Sequence, residues 1–451
     1  MKTNLMINHK KLFDQRINGF ELETGRLGLT KYVNLDNAAT TPPFLCVEEA
    51  VNKYLGTYGS VHRGAGQKSK MSTDVYEDSR EVIKDFVSAP EDSYVLFSEN
   101  TTGAVNAAAY FFSFLKGKVA VSAIEHSSSW LPWVKTEGIK KIGTKQFDLN
   151  DLNAVNNEIQ VLGRQEVLQY ETNANFEFDL DNIEKLLQNN KIKVFVLTAS
   201  SNITGYCPEI EKIGKLVHRY GAYFLIDACQ YLQHHKIDMK KMGIDFLVAS
   251  GHKFYAPFGG GFLIGPKNFF DKFLPYQIGG GNLPYITATG EFMRYQNQLA
   301  HDPGTPNAVG AISMAAAMKQ IKKLNVETIE KYEKELTQKL FDYLSSNNKV
   351  EVYVSKEHLN TVIPFRLKNM DAATTAEKLN SIYGIGVRAG SFCTYNVVRK
   401  LLGIEDESKI ISSVKAGKTD EIPTLVRASV SLCNVESDID RMILAIKELT
   451  K

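Results

Sequence analysis

Five apolar runs in this sequence each lead into side chains able to do chemistry. YVLFS (Tyr94–Ser98) is followed by ENTTGAVNAA, where Thr101, Thr102 and Gly103 would open a helix whose free N–H groups suit an anion. KVAVSA (Lys118–Ala123) leads into IEHSSSW, with Glu125 and His126. KVFVLTAS (Lys193–Ser200) leads into SNITG, with Asn202. AYFLID (Ala222–Asp227) ends on Asp227, and Gln230 follows closely. DFLVAS (Asp245–Ser250) ends on Ser250, with His252 and Lys253 just beyond. Together these ends offer an anion cradle, an imidazole, an amide, a carboxylate and an amine. Singly, each has an ordinary structural reading. TTG is a common helix start. His126 reads as a satisfied polar residue, Asp227 as a cap or one half of a buried ion pair, and Lys253 as a lysine reaching for solvent. The glycines of FGGGFLIG follow the lysine and do not fit a GxGxxG dinucleotide fingerprint.

What must position these groups is a sheet. The five runs are continuous and rich in β-branched and aromatic residues, as in strands buried on both faces. Amphipathic stretches lie between them. In IEKIGKLVHRYG (Ile210–Gly221), Ile213, Leu216, Val217 and Tyr220 share one face and Gly221 is a stop signal. Strand and helix in alternation predict an α/β domain with a largely parallel sheet, whose ligands bind at the carboxyl ends of the strands. After about residue 305 the texture changes to long helical patterns followed by short strands (VEVYVS, TVIPFRL, LVRASVSL), a smaller α+β domain. The boundaries expected are an N-terminal arm over 1–30 that belongs with the small domain, a large domain over 31–304, and the C-terminal small domain with a substrate loop over 305–451. The tracts 148–165 and 405–421 are polar and read as a surface excursion and a flexible loop.

Bulk composition narrows the partners. The chain has 451 residues, 43% of them hydrophobic and 23% charged, with a formal net charge of +2. No strong field draws it to nucleic acid or membrane. The five cysteines stand without CxxC or CxxH spacing, which argues against disulfides and zinc and for a reducing compartment; no metal is expected. The N-terminus lacks the apolar core of a signal peptide, and no run approaches the ~18 apolar residues of a membrane span. A cytoplasmic protein is expected. Cys207 and Cys229 read as small packing residues.

One cofactor uses the whole set of strand-end groups. Pyridoxal 5'-phosphate needs a lysine amine, a carboxylate for its pyridinium nitrogen, an anion cradle for its phosphate and a ring to stack on. The carboxylate keeps the ring nitrogen protonated, and a partly desolvated lysine keeps its amine available.

With these residues in view, the chain resembles the class V aminotransferase group of fold-type-I pyridoxal phosphate enzymes. Within that group it is most similar to cysteine desulfurases and the sulfurase branch. YVNLDNAATTPP, VHRGAG, ENTTGAVN, the EH of IEHSSSWLPW, SNITG, LIDACQ, SGHK, GTPN and VRASVSL fall in the family's order. The resemblance implies a large domain with a mostly parallel seven-stranded sheet between helices, plus the small domain. It implies Lys253 as the Schiff-base lysine, Asp227 as the pyridinium partner, Gln230 at the ring hydroxyl and His126 stacked on the ring. Thr102, Ser250 and His252 would hold the phosphate, with Thr101 beside them. Thr305 would reach the phosphate of the other subunit of a homodimer. Asn202 would lie near the ring, Arg427 would bind the substrate carboxylate, and His62 and Arg388 would stand on the substrate side. A guanidinium forks onto a carboxylate, so Arg427 also fits on chemistry alone.

Cys393, in GIGVRAGSFCTYNVVRKLLG, sets the subclass. Desulfurases carry a cysteine here whose thiolate takes sulfur from substrate cysteine as a persulfide, leaving alanine. Gly386 and Gly390 behind it suit a mobile loop, and Arg388 could lower its thiol pKa. Many desulfurases place two histidines before this cysteine and Ala-Gln-Pro after it; here Ser391 and Phe392 precede and Thr394, Tyr395 and Asn396 follow. The substrate implied is cysteine or a cysteine derivative, with a sulfur-acceptor protein as partner. Two other readings stay open: a carbon–sulfur lyase or aminotransferase in which Cys393 is idle, and a protein that binds the cofactor without turnover.

Overall fold

Strands with no polar face require cover on both sides, and the larger of two units supplies it. The computed structural model describes residues 7–14, 19–134, 140–141 and 166–451. The tract 148–165 lies outside the described residues. The chain divides into a unit of Pro43–Ala199 with Pro208–Leu324 and a unit of Met1–Pro42, Ser200–Cys207 and Asn325–Lys451.

The main sheet of the larger unit has seven strands of four or more residues: β1 (Ser93–Ser98), β2 (Lys118–Ser122), β3 (Val167–Tyr170), β4 (Ile192–Thr198), β5 (Tyr223–Asp227), β6 (Phe246–Ser250) and β7 (Gly261–Pro266). Their order is β1-β7-β6-β5-β4-β2-β3, and a two-residue strand at Lys140–Lys141 pairs beyond β3. Only β7 runs against its neighbours β6 and β1; the other pairs are parallel. This is the mostly parallel seven-stranded sheet expected. Every residue of β4 and of β6 is buried, as continuous apolar runs require. Helix α1 (Thr101–Ser113) packs Phe111 and Phe112 against Phe246, Phe269 and Phe270, all at most 1% exposed. Burying each such ring contributes ~1.5–3 kcal/mol. Helix α2 is Ser127–Val134. Helix α3 (Ile210–Arg219) buries Ile213, Leu216 and Val217, and Gly221 after it takes the left-handed φ of 69° that ends a helix without strain.

The smaller unit is built on an antiparallel sheet: β8 (Val350–Val352), β9 (Val362–Leu367), β10 (Arg388–Gly390) and β11 (Leu425–Ser429), in the order β8-β9-β11-β10. Helices Val326–Ser346, Ala372–Tyr383 and Glu436–Leu449 contribute to its apolar core, with Leu340, Phe365, Leu379 and Met442 fully buried. Two distant pieces of chain join this unit. The LDNAAT segment runs beside β11, where Ser429 N–H donates to the Leu35 carbonyl at 2.7 Å. The SNITG segment, residues 200–207, also belongs here. The tract 405–421, read from its polarity as loop, contains a helix over Ser408–Lys415. That helix buries none of its residues, so composition alone resembles a loop. No helix among the described residues is long and apolar enough to cross a membrane.

Candidate active site

In the larger unit the chemistry gathers at the carboxyl ends of β1, β2, β5 and β6. Asp227 ends β5 opposite Val248 of the neighbouring β6, and Lys253 closes the single turn Gly251–Lys253 after β6. A side chain at Gly251 would come within 2.8 Å of the Ala256 carbonyl, so glycine lets the turn fold flush. Asp227 is 4% exposed. It accepts hydrogen bonds from the Ser129 hydroxyl and, at 2.9 Å, from the Cys229 N–H. Burial raises its pKa, against the pull of those two donors and of the Lys253 charge.

Behind it, Glu125 accepts from the Ser122 hydroxyl and the Thr198 N–H, both at 2.6 Å. Burial pushes its carboxyl up to about 8, and the Asp227 charge adds to the shift against the Ser122 bond. Glu125 therefore keeps its proton at neutral pH and adds no second negative charge beside Asp227. His126 accepts the Ser128 N–H on Nδ1 at 3.1 Å, which leaves the ring proton of the neutral imidazole on Nε2. His252 is pushed down to about 4 by burial and by the Lys253 charge, so its imidazole is neutral near pH 7.

Helix α1 starts as TTG suggests. Asn100 caps it by accepting the Gly103 N–H at 3.0 Å. Thr101 is buried and donates to Cys229 Sγ at 3.2 Å, while Thr102 is exposed and donates to Ser128 Oγ at 2.7 Å. Gln230 is buried in the turn after β5, and Ser250 Oγ reaches the Gly260 carbonyl at 3.5 Å. Thr305 is exposed at a cavity of about 280 Å³ that Glu99, Gly103, Gln277 and Asn307 also line. Tyr76 and Asp302 border the same cavity and lead to His62. His62 Nε2 meets Glu77 at 2.7 Å, and Arg80 pairs with both Glu77 and Asp302. The guanidinium supplies the positive charge of this cluster, which reads as an ion-pair network.

In the smaller unit, Asn202, Arg388, Arg427 and the turn bearing Cys393 converge. Arg427 is 2% exposed. It donates to the Asn202 carbonyl at 2.9 Å and pairs with Asp36 at 3.2 Å, and its guanidinium lies over the Phe392 ring at 4.9 Å. Burial brings its pKa down to about 10, opposed chiefly by Asp36. Arg388 is half exposed and reaches the other Asp36 oxygen at 3.4 Å. One carboxylate thus orients both arginines. Cys393 is exposed and in no disulfide; Cys229 is buried and Cys207 partly so. Sequence reading passed over Ser129, Asp36 and Thr394 as site partners. Ser129 stood in the SSS run after His126 and Asp36 in LDNAAT, but neither spacing names a partner so far along the chain.

A model of the aminotransferase class-V family matches residues 33–157 and 152–442. The chain belongs to that family. Among relatives of this class-V chain, a cysteine desulfurase of Wigglesworthia glossinidia brevipalpis is 28% identical over 96% of each chain. A probable cysteine desulfurase of Pyrococcus abyssi is 31% identical, covering 93% of this chain and 94% of the relative. The apo structure of a cysteine desulfurase from Thermococcus onnurineus NA1 superposes with a TM-score of 0.77 at 28% identity, over 93% of this chain and 94% of that one. The chain is a cysteine desulfurase-like, pyridoxal-phosphate-dependent enzyme. Its residues fit that cofactor. A buried carboxylate in electrostatic reach of a lysine, a neutral imidazole and a hydroxyl-bearing helix start are the donor set it requires.

Proposed function

We propose that this class-V enzyme takes sulfur from cysteine through a persulfide on Cys393, leaving alanine. The observation that carries the reading is the exposed Cys393 in the same turn as Phe392, which packs on the buried Arg427. The names of the desulfurase relatives support the same chemistry. Lys253 would hold the cofactor and move the proton at the substrate α-carbon. Asp227 would face the ring nitrogen, Gln230 the ring hydroxyl and His126 the ring face. Asn202 would stand near the ring. Thr101, Thr102, Ser250 and His252 would hold the phosphate, and Thr305 that of the second subunit of a homodimer. Bound pyridoxal phosphate supplies an electron sink for charge at the α-carbon.

Arg427 would fork onto the substrate carboxylate, with Arg388 and His62 on the substrate side. The Cys393 thiolate would attack the substrate sulfur. The Sγ–S bond forms and the Cβ–S bond breaks, its electron pair staying on carbon; that carbon takes a proton and departs as alanine. Cytoplasmic sulfur metabolism, with a protein acceptor for the persulfide, completes the reading. Its test is the pure holoenzyme given cysteine, scored together for alanine, pyruvate and aminated cofactor. Alanine with a persulfide on Cys393 is expected, and Cys393→Ala should lose both while keeping the cofactor absorbance. Pyruvate and ammonia, or full sulfur release by Cys393→Ala, would overturn it in favour of a lyase.

A further inference from the structure

The turn that carries Cys393 has an unusual backbone. Phe392 and Cys393 both take positive φ, 53° and 56°, and neither is glycine. That region is disfavoured for most side chains, so two in succession need more than the turn's own Thr394 N–H to Ser391 carbonyl bond to hold them. The holding groups are Asn202 and Thr394, at 6% and 2% exposure. Asn202 Nδ2 donates to the Phe392 carbonyl at 2.9 Å. Thr394 Oγ1 donates to Asn202 Oδ1 at 2.8 Å, and it also lies 3.3 Å from the Phe392 carbonyl. The Asn202 amide therefore grips the turn on both sides of Cys393. The main-chain carbonyl of Asn202 accepts from Arg427, whose guanidinium lies over the Phe392 ring.

We propose that Thr394, acting through Asn202, is a positioning residue for Cys393, fastening the left-handed turn that presents the thiol. The proposal rests on the persulfide reading above. It assigns a task to a hydroxyl that stands where many desulfurases carry alanine, which has no hydroxyl to donate. Because Asn202 is shared, the fastening also keeps Phe392 on Arg427, so the carboxylate-binding arginine and the nucleophile are held by one residue, through its main-chain carbonyl and its side-chain amide.

The test compares Thr394→Val and Thr394→Ser with the wild type as full-length holoenzymes. Two rates are read: persulfide loading of Cys393 from cysteine in a single turnover, and alkylation of Cys393 by iodoacetamide, followed by peptide mass spectrometry. Losing one buried hydrogen bond is expected to slow loading by roughly fivefold in the valine variant and to speed alkylation by a similar factor. The cofactor absorbance should be unchanged, and serine should restore both rates. Wild-type values of either rate in Thr394→Val would overturn the proposal, as would a serine variant no better than valine, which would mark Thr394 as a packing residue. A wild type that loads no sulfur would instead refute the persulfide reading, and the alkylation rates would still decide the role of Thr394.

Discussion

Replacing Glu125 with glutamine should make the protein less sensitive to alkaline pH. Glu125 is fully buried between Ser122 and the Thr198 N–H, and its carboxyl is pushed up from an ordinary 4.5 to about 8. A carboxyl whose folded value is raised binds its proton more tightly in the native state. Its contribution is fully present below pH ~4.5 and is lost as pH rises through about 8. Between pH 5 and pH 8 the wild type should lose on the order of 3 kcal/mol from this group alone, since each pKa unit is worth ~1.4 kcal/mol. Glutamine cannot ionise, yet it keeps an oxygen to accept both hydrogen bonds. Urea unfolding of wild type and Glu125→Gln at the two pH values measures the effect. The stability difference should move in favour of glutamine by about 3 kcal/mol from pH 5 to pH 8. A difference flat with pH would refute the assignment of a protonated Glu125, and with it the view that Asp227 has no second charge beside it.

Arg427→Lys should raise the KM for cysteine by roughly 10- to 100-fold with a smaller change in kcat, because an ammonium cannot fork onto a carboxylate; steady-state kinetics separate the two. Arg80→Met should destabilise the protein by ~3–5 kcal/mol in denaturant titration, because Asp302, 5% exposed, loses its guanidinium partner.

Local pattern carried much of this protein into view. The strands are legible because burial on both faces leaves no polar alternation, and that depends only on neighbouring residues. Asp227, at the end of one apolar run, and Lys253, just beyond another, stand out for the same reason. Helix Ser408–Lys415 was not legible from the polarity of its tract: Ile410, Ile411 and Val414 do recur at helical spacing, but none of them is buried and polar residues surround them in the chain. The attachment of SNITG to the smaller unit was not legible either, because the larger unit flanks it on both sides in the chain.

The sequence by itself determined five strands of the sheet, the chemistry-bearing groups at their ends and the cofactor they suit, since each follows from hydrophobic periodicity and residue type; Val167–Tyr170 and Gly261–Pro266 were not among those runs. Only the tertiary structure decided which groups touch. It placed Ser129 on Asp227, Asp36 between Arg388 and Arg427, and Thr394 on Asn202. It also decided which carboxyl stays protonated, because desolvation is a property of the packed interior and not of the residues beside a group in the chain.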